Sequence, residues 1–176
     1  MKSVETGGVS AKELAFGDLE RELTVTRRVL EVVPEEKFSW KPHEKSMTLQ
    51  RMAHHVAQMP EWMTLTLAKD ELDFADTPKP TLPATKAELL AVYDRYVEEL
   101  RHAIATFDMA RMGGTWTIRQ GEQVITSQPR LKSFRVWCVN HLVHHRGQLT
   151  MFLRMLDVKV PAVYFNSADY PEMVFE

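Results

Sequence analysis

Apolar residues return every three or four positions along four separate stretches of this chain, a period that commits most of it to amphipathic helices. The first stretch runs from Ser10 to Val33, where Ala15, Leu19, Leu23, Thr26, Leu30 and Val33 share one face. Ser10 and Glu13 have capping-box spacing, so the Ser10 hydroxyl can accept from a free amide of the first turn. Pro34 ends the pattern, because proline donates no amide hydrogen and crowds the preceding turn. Residues 38–45, around Pro42, read as a connector.

The second stretch opens at Ser46, the expected cap. Leu49, Met52, Ala53, Val56, Met59 and Met63 form its stripe, and Pro60 inside it predicts a kink or a split. Three prolines and three aspartates make Asp70 to Pro83 an expected loop. Thr85 and Glu88 offer a second capping box, followed by a stripe through Leu89, Tyr93, Tyr96, Leu100 and Phe107. Beyond Gly113-Gly114, the segments 116–118 and 123–126 flank Gln120-Gly121-Glu122 and read as a short β-hairpin. Residues 131–156 form the last and most apolar helix. The expected fold is therefore all-α, a four-helix bundle with a small hairpin between its third and fourth helices.

The 176 residues predict one domain, with residues 1–9 as a loose leader and 157–176 as a C-terminal coil. Hydrophobic residues at 44% are enough to build a core, which excludes wholesale disorder. A net charge of −2 argues against a nucleic-acid partner, which needs concentrated Lys and Arg. No apolar run approaches the ~18–20 residues of a membrane span. The N-terminus lacks an apolar signal segment, and one cysteine, Cys138, cannot close an internal disulfide. A reducing cytoplasm is the expected compartment.

Seven histidines are present, and helical phase separates them. His141 and His145 fall near the centre of the apolar face of the last helix, while His144 lies about 100° away. Two imidazoles one turn apart bring polar nitrogens onto that face, and these cost free energy when unpaired. One divalent ion bound by both resolves this; a hydrogen-bonded core pair is the alternative. On the second helix, His55 lies at the flank of the stripe, about 90° from its centre, and His54 points outward. A third imidazole from another helix would leave a fourth position open, as catalytic metal sites do. His43, His54, His102 and His144 read as surface or connector residues, and Cys138 as a small buried hydrophobe rather than a soft ligand.

Spacing excludes several chemistries. A zincin needs Glu where Leu142 stands, and a di-iron carboxylate bundle needs Glu where Met52 and Cys138 stand. One cysteine cannot supply the Cys-x-x-Cys of a nucleobase deaminase. A phosphate-binding glycine loop and a G-x-S-x-G motif are both missing.

The segment Asn140-His-Leu-Val-His-His-Arg-Gly-Gln148 resembles the H-x-x-x-H-R-G-Q signature of the DinB/YfiT-like family of metal-dependent proteins. Trp40 to Leu49, followed by Met52-Ala-His-His-Val-Ala57, resembles that family's second-helix motif. Leu153 to Val158 and Pro161 to Tyr164 resemble its C-terminal stretch. The resemblance implies a four-helix bundle whose metal ligands are His55, His141 and His145, with nickel or zinc as the divalent ion. It also implies a homodimer, and a small-molecule substrate handled with a low-molecular-weight thiol. The expected function is thus a metal-dependent S-transferase or hydrolase; the alternative is a non-enzymatic, metal-stabilised stress-response module. In the motif Gly147 offers close approach to a neighbouring helix. Trp137, Val139, Val143 and Met151 are spread too far round the last helix to face one core. They predict a two-fold interface, or else burial under the hairpin or tail.

Overall fold

The computed structural model describes residues 8–171, so most of the expected leader and the end of the tail lie outside the described residues. The first stretch forms two helices instead of one, α1 (Ala11–Phe16) and α2 (Leu19–Glu31). The Ser10 hydroxyl accepts from the Glu13 amide at 3.0 Å, as the capping box requires. The break falls at Gly17, where a Cβ would lie 2.7 Å from the Glu13 carbonyl oxygen. Glycine tolerates that close approach and lets the chain turn.

Helix α3 (Leu49–Ala68) is capped by Thr48, not by Ser46. The connector decides this. The Trp40 and Phe38 carbonyls accept from the Leu49 and Gln50 amides at 2.7 and 3.1 Å, which satisfies two free donors of the first turn. The helix runs through Pro60 without a split. Val56, Met59 and Met63 around it are 0% exposed, and this packing outweighs the ~3 kcal/mol that an interior proline costs.

Strand β1 (Glu71–Asp73) then lies where a loop was expected. It pairs in parallel with β2 (Thr115–Gln120), Leu72 opposite Ile118. Three residues carry no readable alternation; the unpaired edge of β2 recruits them. Strands β2 and β3 (Gln123–Pro129) form the expected hairpin, with Gly121 at φ 59° in its turn. Between β1 and the hairpin runs α4 (Lys86–Thr106), capped by Thr85 as predicted, with the Glu88 carboxylate accepting from the Ala84 amide.

The last helix is composite. Helix α5 (Arg130–Ser133) passes through a π-helical stretch, Phe134–Val139, into α6 (Asn140–Met155). Arg130 is 2% exposed, and its guanidinium donates to the Thr66 and Lys69 carbonyls and pairs with Asp70. A cation thereby covers the negative C-terminal end of α3. Val139 is 2% exposed inside the bundle, and Trp137 packs on Leu72, Trp116 and Ile118 beneath the sheet. Neither supports an interface reading; of the four residues, Met151 is well exposed. A Cβ at Gly147 would meet no atom within 4 Å, so no described element of this chain approaches there. No described helix is long and apolar enough to cross a membrane.

Candidate metal centre

Helices α3 and α6 pack side by side in the bundle. Met52, Val56 and Met59 pull one face of α3 into the core, which turns His55 toward α6. On α6 the deepest positions are Leu142, Arg146, Leu149 and Leu153. His141 and His145 sit at the margin of that face, half-buried, instead of at its centre. The π-helical stretch breaks the 3.6-residue phase, so Phe134 and Cys138 do not mark the same direction as residues beyond 140.

The three imidazoles converge. His55, His141 and His145 each offer a ring nitrogen, and these lie within 4.8 Å of one another. The Nε2 atoms of His55 and His141 are 3.3 Å apart. Two neighbours settle which nitrogens point inward. The Nδ1 of His141 faces the Trp137 carbonyl at 3.2 Å, and a carbonyl can only accept. The Nδ1 of His145 faces the Gln148 amide oxygen at 2.7 Å. Each Nδ1 therefore carries the proton, leaving Nε2 with a free lone pair, as a metal-binding imidazole requires.

Electrostatics keep the rings neutral. Burial, and then the mutual repulsion of the three rings, pushes His55 down to about 3. Burial also lowers His141 and His145, partly opposed by the hydrogen bonds their rings donate to the Trp137 carbonyl and the Gln148 amide oxygen. No carboxylate joins the cluster among the described residues. Three neutral nitrogens with a common focus are compatible with a divalent metal ion. The Trp62 ring stands edge-on to His55 and His141, with centroids 6.1 and 6.0 Å away, and walls one side of the cluster.

The other predicted residues divide cleanly. His144 is exposed, with its ring 4.8 Å from that of His145, and His43 and His102 are exposed as expected. Cys138 is 1% exposed beside Thr66, its thiol pushed up to about 12 by burial, and it stands outside the cluster. His54 reverses the expectation: it is 5% exposed, because α4 packs against the side of α3 that seemed to face solvent. Sequence reasoning also missed Gln148 and Trp62 as neighbours of the histidines. Their spacing held the signal, since Gln148 is three residues past His145 and Trp62 seven past His55.

Gln148→Leu is expected to weaken metal binding by about 10–100-fold, the usual cost of losing a partner that orients a ligand. Chelator competition measures this, and Gln148→Glu, which restores an acceptor, should recover most of the loss. Equal losses in both variants would exclude the orienting role.

A helical bundle with three convergent, neutral imidazoles from two neighbouring helices belongs to the class of three-histidine bundle proteins. The family model described as DinB family matches residues 10–173, and the chain belongs to that family. It is similar to the crystal structure of a DinB-like protein from Bacillus cereus, with 22% identity and a TM-score of 0.62 over 86% of this chain and 97% of that one. It is also similar to a DinB-like protein from Bacillus subtilis, YjoA, with 14% identity and a TM-score of 0.64 over 85% and 96%. These likenesses concern the fold. No curated protein matches the sequence.

Proposed function

We propose that the protein is a divalent-metal-dependent enzyme, a thiol-dependent S-transferase or a hydrolase, with His55, His141 and His145 as the metal ligands. The observation that carries this reading is the convergence of three imidazoles with two Nδ1 positions already committed elsewhere. A divalent ion bound there supplies Lewis acidity, which lowers the pKa of a water or thiol at neutral pH. The chain's own residues do the rest. Trp137 and Gln148 hold the His141 and His145 rings in the ligating tautomer. Trp62 shields one side of the cluster, and the half-buried rings leave an approach from solvent. Because all three nitrogens are neutral, the chain would contribute no negative charge to a bound cation, which would favour an anionic partner such as a thiolate. Membership of the DinB family supports thiol transfer over hydrolysis.

The ligands come from only two helices, so a purely structural clamp between α3 and α6 is the competing reading. Metal analysis of protein prepared without a polyhistidine tag comes first, and one divalent ion per chain is expected. A turnover screen of metal-loaded protein with low-molecular-weight thiols and electrophilic acceptors follows. Turnover that is lost on chelation and in His141→Ala supports the enzyme. Metal bound without turnover supports the clamp, and metal-free protein rejects both.

A further inference from the structure

A quarter-turn round α3 from the histidine cluster lies a cleft of about 720 Å³. Its walls are α3, α4 and the proline-rich segment 74–83. That volume falls in the range of small-molecule sites. The lining is two-sided in chemistry. Trp62, Phe74, Leu65, Leu72 and Val92 supply flat apolar surface, with the Trp62 and Phe74 rings 5.7 Å apart. His54, Gln58, Glu61 and Tyr96 supply polar groups.

His54 is the informative residue. It is 5% exposed, yet its ring makes no hydrogen bond to any described residue. Its ring nitrogens are not sealed from solvent and line the open cleft, where a polar group of an occupant can replace water as their hydrogen-bond partner. Glu61 stands seven residues on, about two turns along the same helix face, and its carboxylate accepts from the Gln58 amide at 2.8 Å. A neutral imidazole can accept through one of its nitrogens and the Glu61 carboxylate accepts, so this end of the cleft can take a donor. The lining acids are Glu61, Asp76 and Glu88, and the lining bases are Lys69, Lys79 and Arg95. Three against three leaves no net charge to select an ion.

The geometry points to a binding site for a small neutral molecule with a flat, apolar body and a hydroxyl group. The body lies against Trp62 and Phe74, and the hydroxyl donates to His54 or Glu61. This inference goes beyond the metal-centre reading and does not depend on it. The two sites nevertheless share Trp62, whose ring also stands edge-on to His55 and His141, so an occupant against Trp62 would lie beside the ring that borders the histidines.

The test uses 4-methylphenol as the probe and toluene, which lacks the hydroxyl, as its control. Each is titrated into full-length, metal-free protein by nuclear magnetic resonance, with backbone shifts read along α3 and α4. Saturable binding of 4-methylphenol is expected, with shifts centred on residues 54–62 and 91–96, and toluene is expected to bind about tenfold more weakly. Val92→Trp, which fills the cleft from α4, should abolish binding of both. His54→Phe should erase the tenfold preference while leaving toluene bound, and Glu61→Gln gives a second reading of the polar end should His54→Phe fail to fold. Shifts scattered over the surface, or binding that survives Val92→Trp, would overturn the site. Equal affinity for the two probes would overturn hydroxyl recognition. Repeating the titration on zinc-loaded protein separates the readings: a failed metal site leaves the cleft result intact, and the reverse.

Discussion

Metal-loaded protein is expected to melt about 5–10 °C above chelator-treated protein at pH ~7.5, and His145→Ala should remove that gap. An ion that binds the folded chain at a hundred times its dissociation constant adds ~2.7 kcal/mol by mass action. A domain of this size gains ~2–4 °C per kcal/mol. Removing one of three converging nitrogens should weaken binding by more than the ~100-fold that losing an orienting neighbour can cost. His144→Ala should keep the gap, although its ring lies 4.8 Å from His145, because it offers no nitrogen to the cluster. The opposite pattern would reject the ligand set.

The pH dependence follows from the lowered imidazole pKa values. Unfolded histidines take up protons near ~6.5. In the folded, metal-free chain His55 resists protonation down to about 3, and His141 and His145 are also lowered. Between those values the unfolded chain binds more protons, so metal-free stability falls as pH falls through that window. The same lowering weakens proton competition with the metal in the folded state. Ordinary histidines would lose the chelator gap below pH ~6. Here the gap should persist at pH ~6 and close further down, once the least lowered of the three imidazoles takes up its proton. Thermal scans with and without chelator across that range decide between the two.

Arg146→Met is expected to cost ~3–5 kcal/mol, a fall of roughly 6–20 °C in Tm. Arg146 is 1% exposed and pairs at 2.6 Å with Glu22, itself 6% exposed. It also donates to the Glu22 carbonyl, to the Thr26 hydroxyl and to the Tyr164 hydroxyl at 3.1, 3.0 and 2.9 Å. The network ties α6 to α2 and to the C-terminal tail. Removing the guanidinium strands a carboxylate in the core, and that penalty exceeds the value of the pair itself. Glu22→Leu combined with Arg146→Met removes both charges and should recover most of the loss. Measured on metal-free protein, a single-variant cost below ~1 kcal/mol would mean that water reaches Glu22.

Periodicity and capping chemistry are local properties, and they were legible in the sequence. The Ser10 and Thr85 caps, the stop before Pro34, the hairpin turn at Gly121 and the helical register carrying His55, His141 and His145 all follow from residues within a few positions of each other. Tertiary structure decided everything that depended on which face met which neighbour. His54 seemed to face solvent because its own helix gave it no partner, and it became buried because α4 lies against it. Residues 71–73 became a strand because the edge of β2 was free to pair, whatever their own propensity. The π-helical stretch shifted the phase of α6, moved the two histidines from the centre of the buried face to its margin, and put Arg146 at its depth. Helix period fixes relative angles along one element; the absolute direction of each face, and so the difference between a buried pair and a converging site, is set only when the helices pack.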